Sequence, residues 1–205
     1  MLALLFRVLG ETVYRRLLLF ETELARCRFE PDARCRWLRD DEAERYALVH
    51  PLLTAEQVRR RLADSVRCWV LELPEGAIAH GLWVATAPVV IEYLDVQLPV
   101  AAGEAYLFQS FTPAAYRGRR LASRALSALK AQLGAMGIRR TLSCILPDNW
   151  LAYPPAFSAG ARPIAYIGWY GVGPWRRHFR RPTRRFPWYA PKRRPATEAE
   201  HITKL

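Results

Sequence analysis

Apolar positions near the start of the chain, Leu2, Leu5, Phe6, Leu9, Val13, Leu17, Phe20 and Leu24, follow steps of three and four, and this spacing predicts an amphipathic helix within residues 1–30. Arg7, Glu11, Arg15, Arg16 and Glu21 interrupt every stretch long enough to cross a bilayer, so neither a transmembrane helix nor a signal peptide is expected. Residues 34–38 read as a short strand, and Asp40 or Asp41 can cap a helix running to Val49. Thr54 with Gln57 three positions on is a capping box, and Val58 and Leu62 carry an apolar stripe to Ala63. Strand-like runs follow at 66–73, 77–85, 89–98 and 105–112, with a Pro74-Glu75-Gly76 turn between the first two. From Leu121 the pattern turns helical through Ala125, Leu126, Leu129 and Leu133, and the helix ends near Gly137. Thr141 to Leu146 and Ile164 to Val172 are again β-prone.

Short helices, then antiparallel strands, then a helix and a further strand give an α+β fold, with a mixed, mostly antiparallel sheet flanked by helices. The hydrophobic fraction of 51% in 205 residues is ample for one core. Cys27, Cys35, Cys68 and Cys144 have no metal-site spacing, which predicts reduced thiols, no metal and a cytoplasmic setting. Charge divides the chain. Between Pro174 and Pro195 stand nine Lys or Arg, five prolines, five aromatic residues and no acid; without those nine cations the net charge of +12 falls to +3. Residues 174–205 are therefore read as a basic, aromatic, proline-rich tail beyond a domain at 31–173. Such a strap suits contact with anionic lipid at the inner membrane face, with its own domain or, ranked lower, with nucleic acid.

The chemistry concentrates after the fourth strand-like run. Arg117, Gly118, Arg119, Arg120, Leu121, Ala122 and Ser123 form a basic turn opening a helix, where unpaired amides and the helix dipole favour phosphate. Strand, Arg-Gly-Arg-Arg-Leu-Ala turn and helix together resemble the acyl-CoA diphosphate loop of the GNAT superfamily of N-acetyltransferases, whose signature is Gln/Arg-x-x-Gly-x-Gly/Ala. Arg117 and Ala122 match it, whereas Arg120 stands in place of the central glycine. The likeness continues through Asn149, Ala152 and Gly160, with Ala156 where the family has a tyrosine, and covers roughly residues 34 to 173. It implies a sheet splayed at the central strand, with the pantetheine arm of acetyl-CoA or another acyl-CoA in the gap. It also implies cofactor contacts from Ser110, Phe111 and Thr112 as well as from Asn149 and the turn.

Acyl transfer to an amine needs a proton acceptor, and Glu104 and Glu92, beside or within apolar strands, are the candidates. On strict alternation Glu104, Tyr106, Phe108, Ser110 and Thr112 share one face of their strand, and Glu104 is expected at the mouth of the splay. Tyr153, one helical turn before Ala156, is the candidate acid. Two readings follow: an acyl-CoA-dependent N-acyltransferase acting on a small-molecule or peptidyl amine, and a GNAT-like domain without catalysis that serves as a scaffold at a membrane or polyanion surface.

Overall fold

The computed structural model describes residues 13–64 and 66–183. Its strands are β1 (Tyr14–Glu23), β2 (Cys35–Trp37), β3 (Val66–Glu72), β4 (Ile78–Ala85), β5 (Val89–Ile91), β6 (Val96–Leu98), β7 (Glu104–Phe111), β8 (Arg140–Ile145), β9 (Arg162–Tyr170) and β10 (Arg177–Pro182). Its α-helices are α1 (Ala43–Val49), α2 (Ala55–Ala63), α3 (Leu121–Ala135) and α4 (Tyr153–Ser158). Eight strands form one sheet in the order β10-β9-β1-β8-β7-β4-β3-β2, and all pairs are antiparallel except β7 with β8.

Residues 14–23 are a strand rather than the expected amphipathic helix, and that strand lies inside the sheet, between β8 and β9. The apolar run Leu17-Leu18-Leu19-Phe20 explains the difference. Leu17 and Leu19 pack with the cluster of Ile91, Leu94 and Trp169, whereas Leu18 and Phe20 pack under α4 with Tyr153 and Phe157. A strand covered on both faces is apolar at every position, a pattern that a helical spacing can be drawn through. The first part of the expected helix, residues 1–12, lies outside the described residues.

Two further expectations are corrected. Residues 89–98 are a separate β5–β6 hairpin rather than one strand of a meander, turned at Glu92–Asp95 with Asp95 at φ 52°; β4 pairs directly with β7. The tail begins with an ordered edge strand, since Arg177 to Pro182 pair with β9. A strand with charges on both sides and proline at its end is suited to a sheet edge. Residues 184–205 lie outside the described residues.

Helix α3 covers one face of the sheet, where Leu121, Ala125, Leu129 and Leu133 meet Leu71, Leu82, Val84 and Leu107. The opposite face is covered by α1 and α2, whose Tyr46 and Val58 pack with Val70, Ile78 and Trp83. The Thr54 hydroxyl accepts from the Gln57 amide at 3.2 Å and the Gln57 side chain accepts from the Thr54 amide at 2.9 Å, the predicted capping box. Pro154 and Pro155 lie in the first turn of α4, where no intrahelical acceptor is needed. Among the described residues no helix is long and apolar enough to cross a membrane.

Candidate functional site

The parallel pairing of β7 with β8 covers only Glu104–Leu107 against Arg140–Ser143. Beyond Leu107 the strands separate, and the departure is built into the backbone of β7. Gln109 has φ 47°, and four residues of β7, from Phe108 to Phe111, span what the three from Gly81 to Trp83 span on β4. This bulge also resets the alternation of side chains. Tyr106, Phe108 and Phe111 lie on the side of α1, α2 and the hairpin: Phe108 stacks on Tyr106 at 5.4 Å, and Phe111 meets the His50 ring at 4.6 Å. Ser110 and Thr112, expected beside Phe108, turn toward His80, whose Nδ1 is 2.8 Å from the Thr112 hydroxyl and whose Nε2 is 3.5 Å from that of Ser110. Burial of His80 pushes its pKa down to about 4, so it is neutral at pH 7 and holds the end of β7 through two hydroxyls. A lone histidine on an apolar strand gives no signal of this role in sequence.

The predicted diphosphate turn lies between that end of β7 and α3. Gly118 sits at φ 77° with open space where a side chain would be. Arg120 takes the glycine-like left-handed conformation, φ 57°, although it carries a side chain. As the N-cap it provides no side-chain acceptor to the helix, so the amides of Leu121, Ala122 and Ser123 are left facing outward, the first helical bond being from Arg124 to the Arg120 carbonyl. Arg117 donates from Nε to the Thr112 carbonyl at 3.0 Å, and the Arg119 guanidinium lies over the Tyr116 ring. Among the described residues none of these three arginines forms an ion pair. Asn149 stands across the gap, where its carbonyl accepts from Ala152 at the exit of β8.

On the opposite side of β7 two adjoining hollows of 560 and 410 Å³ share Gln57, Arg61 and Glu92. Phe108 lines the first; His50, Gln109, Ser110 and Phe111 line the second. Arg61 is the hinge between them, donating to the Gln109 side chain, 3.4 Å from Glu92 and over the Trp83 ring. The structure thus brings Glu92 and Phe111 to one groove, which Ser110 borders while its hydroxyl turns to His80.

Glu104 does not join them. It lies where β7 and β8 are still paired, at the closed end of the sheet, hydrogen-bonded to Arg140 and capping Ala101. Burial acts to raise its pKa, but the bonds from Arg140 and the Ala101 amide and the nearby cations outweigh it, and the carboxyl lies below the usual range. It borders a separate hollow of 890 Å³ with Lys130, Arg139 and Arg140. The expectation that Glu104 stands at the mouth of the splay is therefore wrong in direction along the strand. Tyr153 is at the open end, its hydroxyl donating to the carbonyls of Pro147 at 2.8 Å and Leu146 at 3.2 Å. Burial, with Tyr166 and Asp148 nearby, raises its pKa, so it stays protonated.

No family model matches the chain, and no curated protein matches it. Solved structures do. A protein described as an acetyltransferase of the GNAT family from Novosphingobium aromaticivorans superposes with a TM-score of 0.57 at 17% identity, covering 75% of this chain and 61% of that one. The chain has the GNAT fold. A GCN5-related N-acetyltransferase from Sphaerobacter thermophilus gives 0.53 at 14% identity, over 79% of this chain and 53% of its own. A tandem GNAT protein from the clavulanic acid biosynthesis pathway gives 0.51 at 14%, over 78% and 55%. The chain thus spans between 53 and 61% of the length of these three.

Proposed function

We propose that the protein transfers an acyl group from acetyl-CoA or another acyl-CoA to an amine. The observation that carries this reading is the gap between β7 and β8, opened by the Gln109 bulge beside a helix N-terminus whose first amides no side chain caps. A diphosphate on the amides of 121–123, with charge from Arg117, Arg119 and Arg120, leaves the pantetheine arm to run along the freed edge of β7. Ser110, Phe111 and Thr112 border that edge on one strand, and Asn149 stands at the other. The acceptor amine enters from the groove of Gln57, Arg61 and Glu92 on the opposite face.

Glu92, which lines that groove, takes the amine proton in this reading, directly or through one water, in place of Glu104. The Tyr153 hydroxyl, neutral and at the open end, is the acid for the leaving thiolate. Both small-molecule and peptidyl amines fit an open groove of this size. The test is acyl-CoA turnover with an amine panel, on wild-type and Glu92→Gln proteins. The expected result is turnover about 100-fold lower in the variant, with acyl-CoA affinity unchanged. Equal turnover removes Glu92 from the chemistry. Tight acyl-CoA binding with neither transfer nor slow hydrolysis in the wild type favours the scaffold reading, to which Ala156 in place of the family's tyrosine points.

A further inference from the structure

Six large apolar side chains of the described residues are between 64 and 87% exposed: Leu48, Leu52, Trp150, Leu151, Val172 and Trp175. They come from three segments far apart in sequence, yet the topology collects them at one end of the molecule. β7 and β8 are parallel, and β8 and β9 both run antiparallel to β1, so the connections leaving β7, β8 and β9 emerge at the same end. Trp150 and Leu151 follow β8, and Val172 and Trp175 lie between β9 and β10. Leu48 and Leu52 flank His50, which packs on Phe111 at the end of β7. This is the end where the β7–β8 gap opens. Tyr14, at the start of β1, and Tyr170, at the end of β9, are half-exposed there too. A single exposed leucine means little, but the six most exposed apolar side chains gathered round one opening are a surface.

The charge close to the tryptophans is mainly positive, Asp148 being the acid beside Trp150. Arg16, Arg176 and Arg177 are exposed, and among the described residues none of them forms an ion pair; Arg16 lies over the Tyr14 and Tyr166 rings and Arg176 over Trp169. Tryptophan and arginine among leucines suit the boundary between headgroups and acyl chains, since each has an apolar body and a polar tip. The geometry also decides between occupants. Leu48 lies in α1 and Leu52 in the connection from α1 to α2, on one face of the sheet, whereas Trp150 and Leu151 lead into α4 on the other. A segment packed on either face meets only part of the set, but a flat surface laid across the end of the sheet meets all of it. The leucine-rich residues 1–12 join β1 at this same end.

We propose that the open end of the sheet docks on a membrane carrying anionic lipid, with Trp150, Leu151, Val172 and Trp175 in the headgroup region and Arg176 and Arg177 on lipid phosphates. The gap and its groove then face the bilayer. The docking stands independently of the chemistry proposed above, because it is read by binding alone.

The test is co-sedimentation of the full chain with vesicles of phosphatidylcholine and phosphatidylglycerol, and with phosphatidylcholine alone. The full chain is expected to pellet with the anionic vesicles and to be released by salt. Trp150→Ala with Trp175→Ala is expected to weaken binding tenfold or more at an unchanged melting temperature, because both side chains are exposed in the free protein. Arg176→Ala with Arg177→Ala is expected to weaken it about tenfold and to reduce its salt dependence. Met136→Ala, an exposed apolar change at the other end of α3, is expected to change nothing. Failure of the full chain to pellet overturns the proposal, as does equal pelleting by the tryptophan variant, which would assign binding to another part of the chain. A fall in melting temperature in that variant without vesicle binding would overturn it in favour of a cover formed by residues 1–12. Binding of a single-stranded oligonucleotide but not vesicles would overturn it in favour of a nucleic acid.

Discussion

Arg120 stands in a backbone conformation that costs a side-chain-bearing residue about 1–2 kcal/mol relative to the right-handed region. Glycine avoids that cost but loses more chain entropy on folding, about 0.5–1 kcal/mol. Arg120→Gly is therefore expected to stabilise the protein by about 0.5–1 kcal/mol, seen as a rise in melting temperature of about 1–4 °C for a chain of this size. The change leaves the core untouched, since Arg120 is exposed and the helix begins at Leu121 through backbone alone. Arg120→Asn separates conformation from charge, because asparagine tolerates the left-handed region and is neutral. Urea and thermal denaturation of the three proteins, with acetyl-CoA titrations of each, form the assay. If the turn binds the diphosphate through its amides, both variants keep acetyl-CoA affinity within a few-fold of wild type. Destabilisation by glycine would refute the backbone reasoning, and a tenfold loss of affinity in both variants would transfer the contact from the amides to the Arg120 guanidinium.

Glu104→Gln is expected to lower stability by about 1–3 kcal/mol, through loss of its bonds with Arg140, and to leave turnover per folded molecule intact; a large loss of turnover at wild-type stability would return Glu104 to the site. Lys130 is buried, donates to the Thr22 hydroxyl at 2.8 Å and the Ala159 carbonyl at 2.7 Å, and has its pKa pushed down by burial from 10.5 to about 8. The unfolded chain holds the proton more tightly, so this residue's contribution to stability rises as pH increases from about 8 toward 10.5, by up to about 3 kcal/mol. The difference between wild type and Lys130→Met in urea titrations across that window measures it, and a difference that does not change with pH contradicts the assignment. The Glu42 carboxylate, held down to about 2 by its bonds to Arg36 despite burial, contributes stability that is present above pH 4.5 and lost as pH falls toward 2; Glu42→Gln should flatten acid denaturation in that range.

The sheet from β2 to β4, helices α1 and α2, the central strand and the turn into α3 were legible because each has local signals: a capping box in α2, alternating apolar residues, or a helical stripe after a proline. Asp40 and Asp41, expected to cap α1, instead form a 3-10 turn before it, and Glu42 is its N-cap without a side-chain capping bond. β1 was not, because a leucine run buried on both faces and a helical stripe share the same letters, and only its pairing with β8 and β9 decides. The turn between β7 and α3 was marked in sequence by Gly118 and its arginines, yet the left-handed conformation of Arg120 was hidden behind a residue that disfavours it. The bulge at Gln109 has no glycine to announce it, and it moved Ser110 and Thr112 to the other face. Glu104 shows what strand order alone can settle: a sequence marks where β7 starts, but which end separates from β8 depends on how many residues the two strands pair. His50 and His80 act through neighbours distant in sequence, His80 on Thr112 and Ser110, His50 on Phe111, so nothing local marked them.

The central claim is that the gap between β7 and β8 and the turn at 117–123 together hold an acyl-CoA. Calorimetric titration of the folded protein with acetyl-CoA and with longer acyl-CoAs tests it before any acceptor is known. One-to-one binding is predicted, weakened by salt, and reduced tenfold or more by Arg117→Ala if a charge-assisted contact of about 1.5–3 kcal/mol is lost. No binding of any acyl-CoA by the folded chain, or unchanged affinity in a folded Arg117→Ala protein, would contradict it.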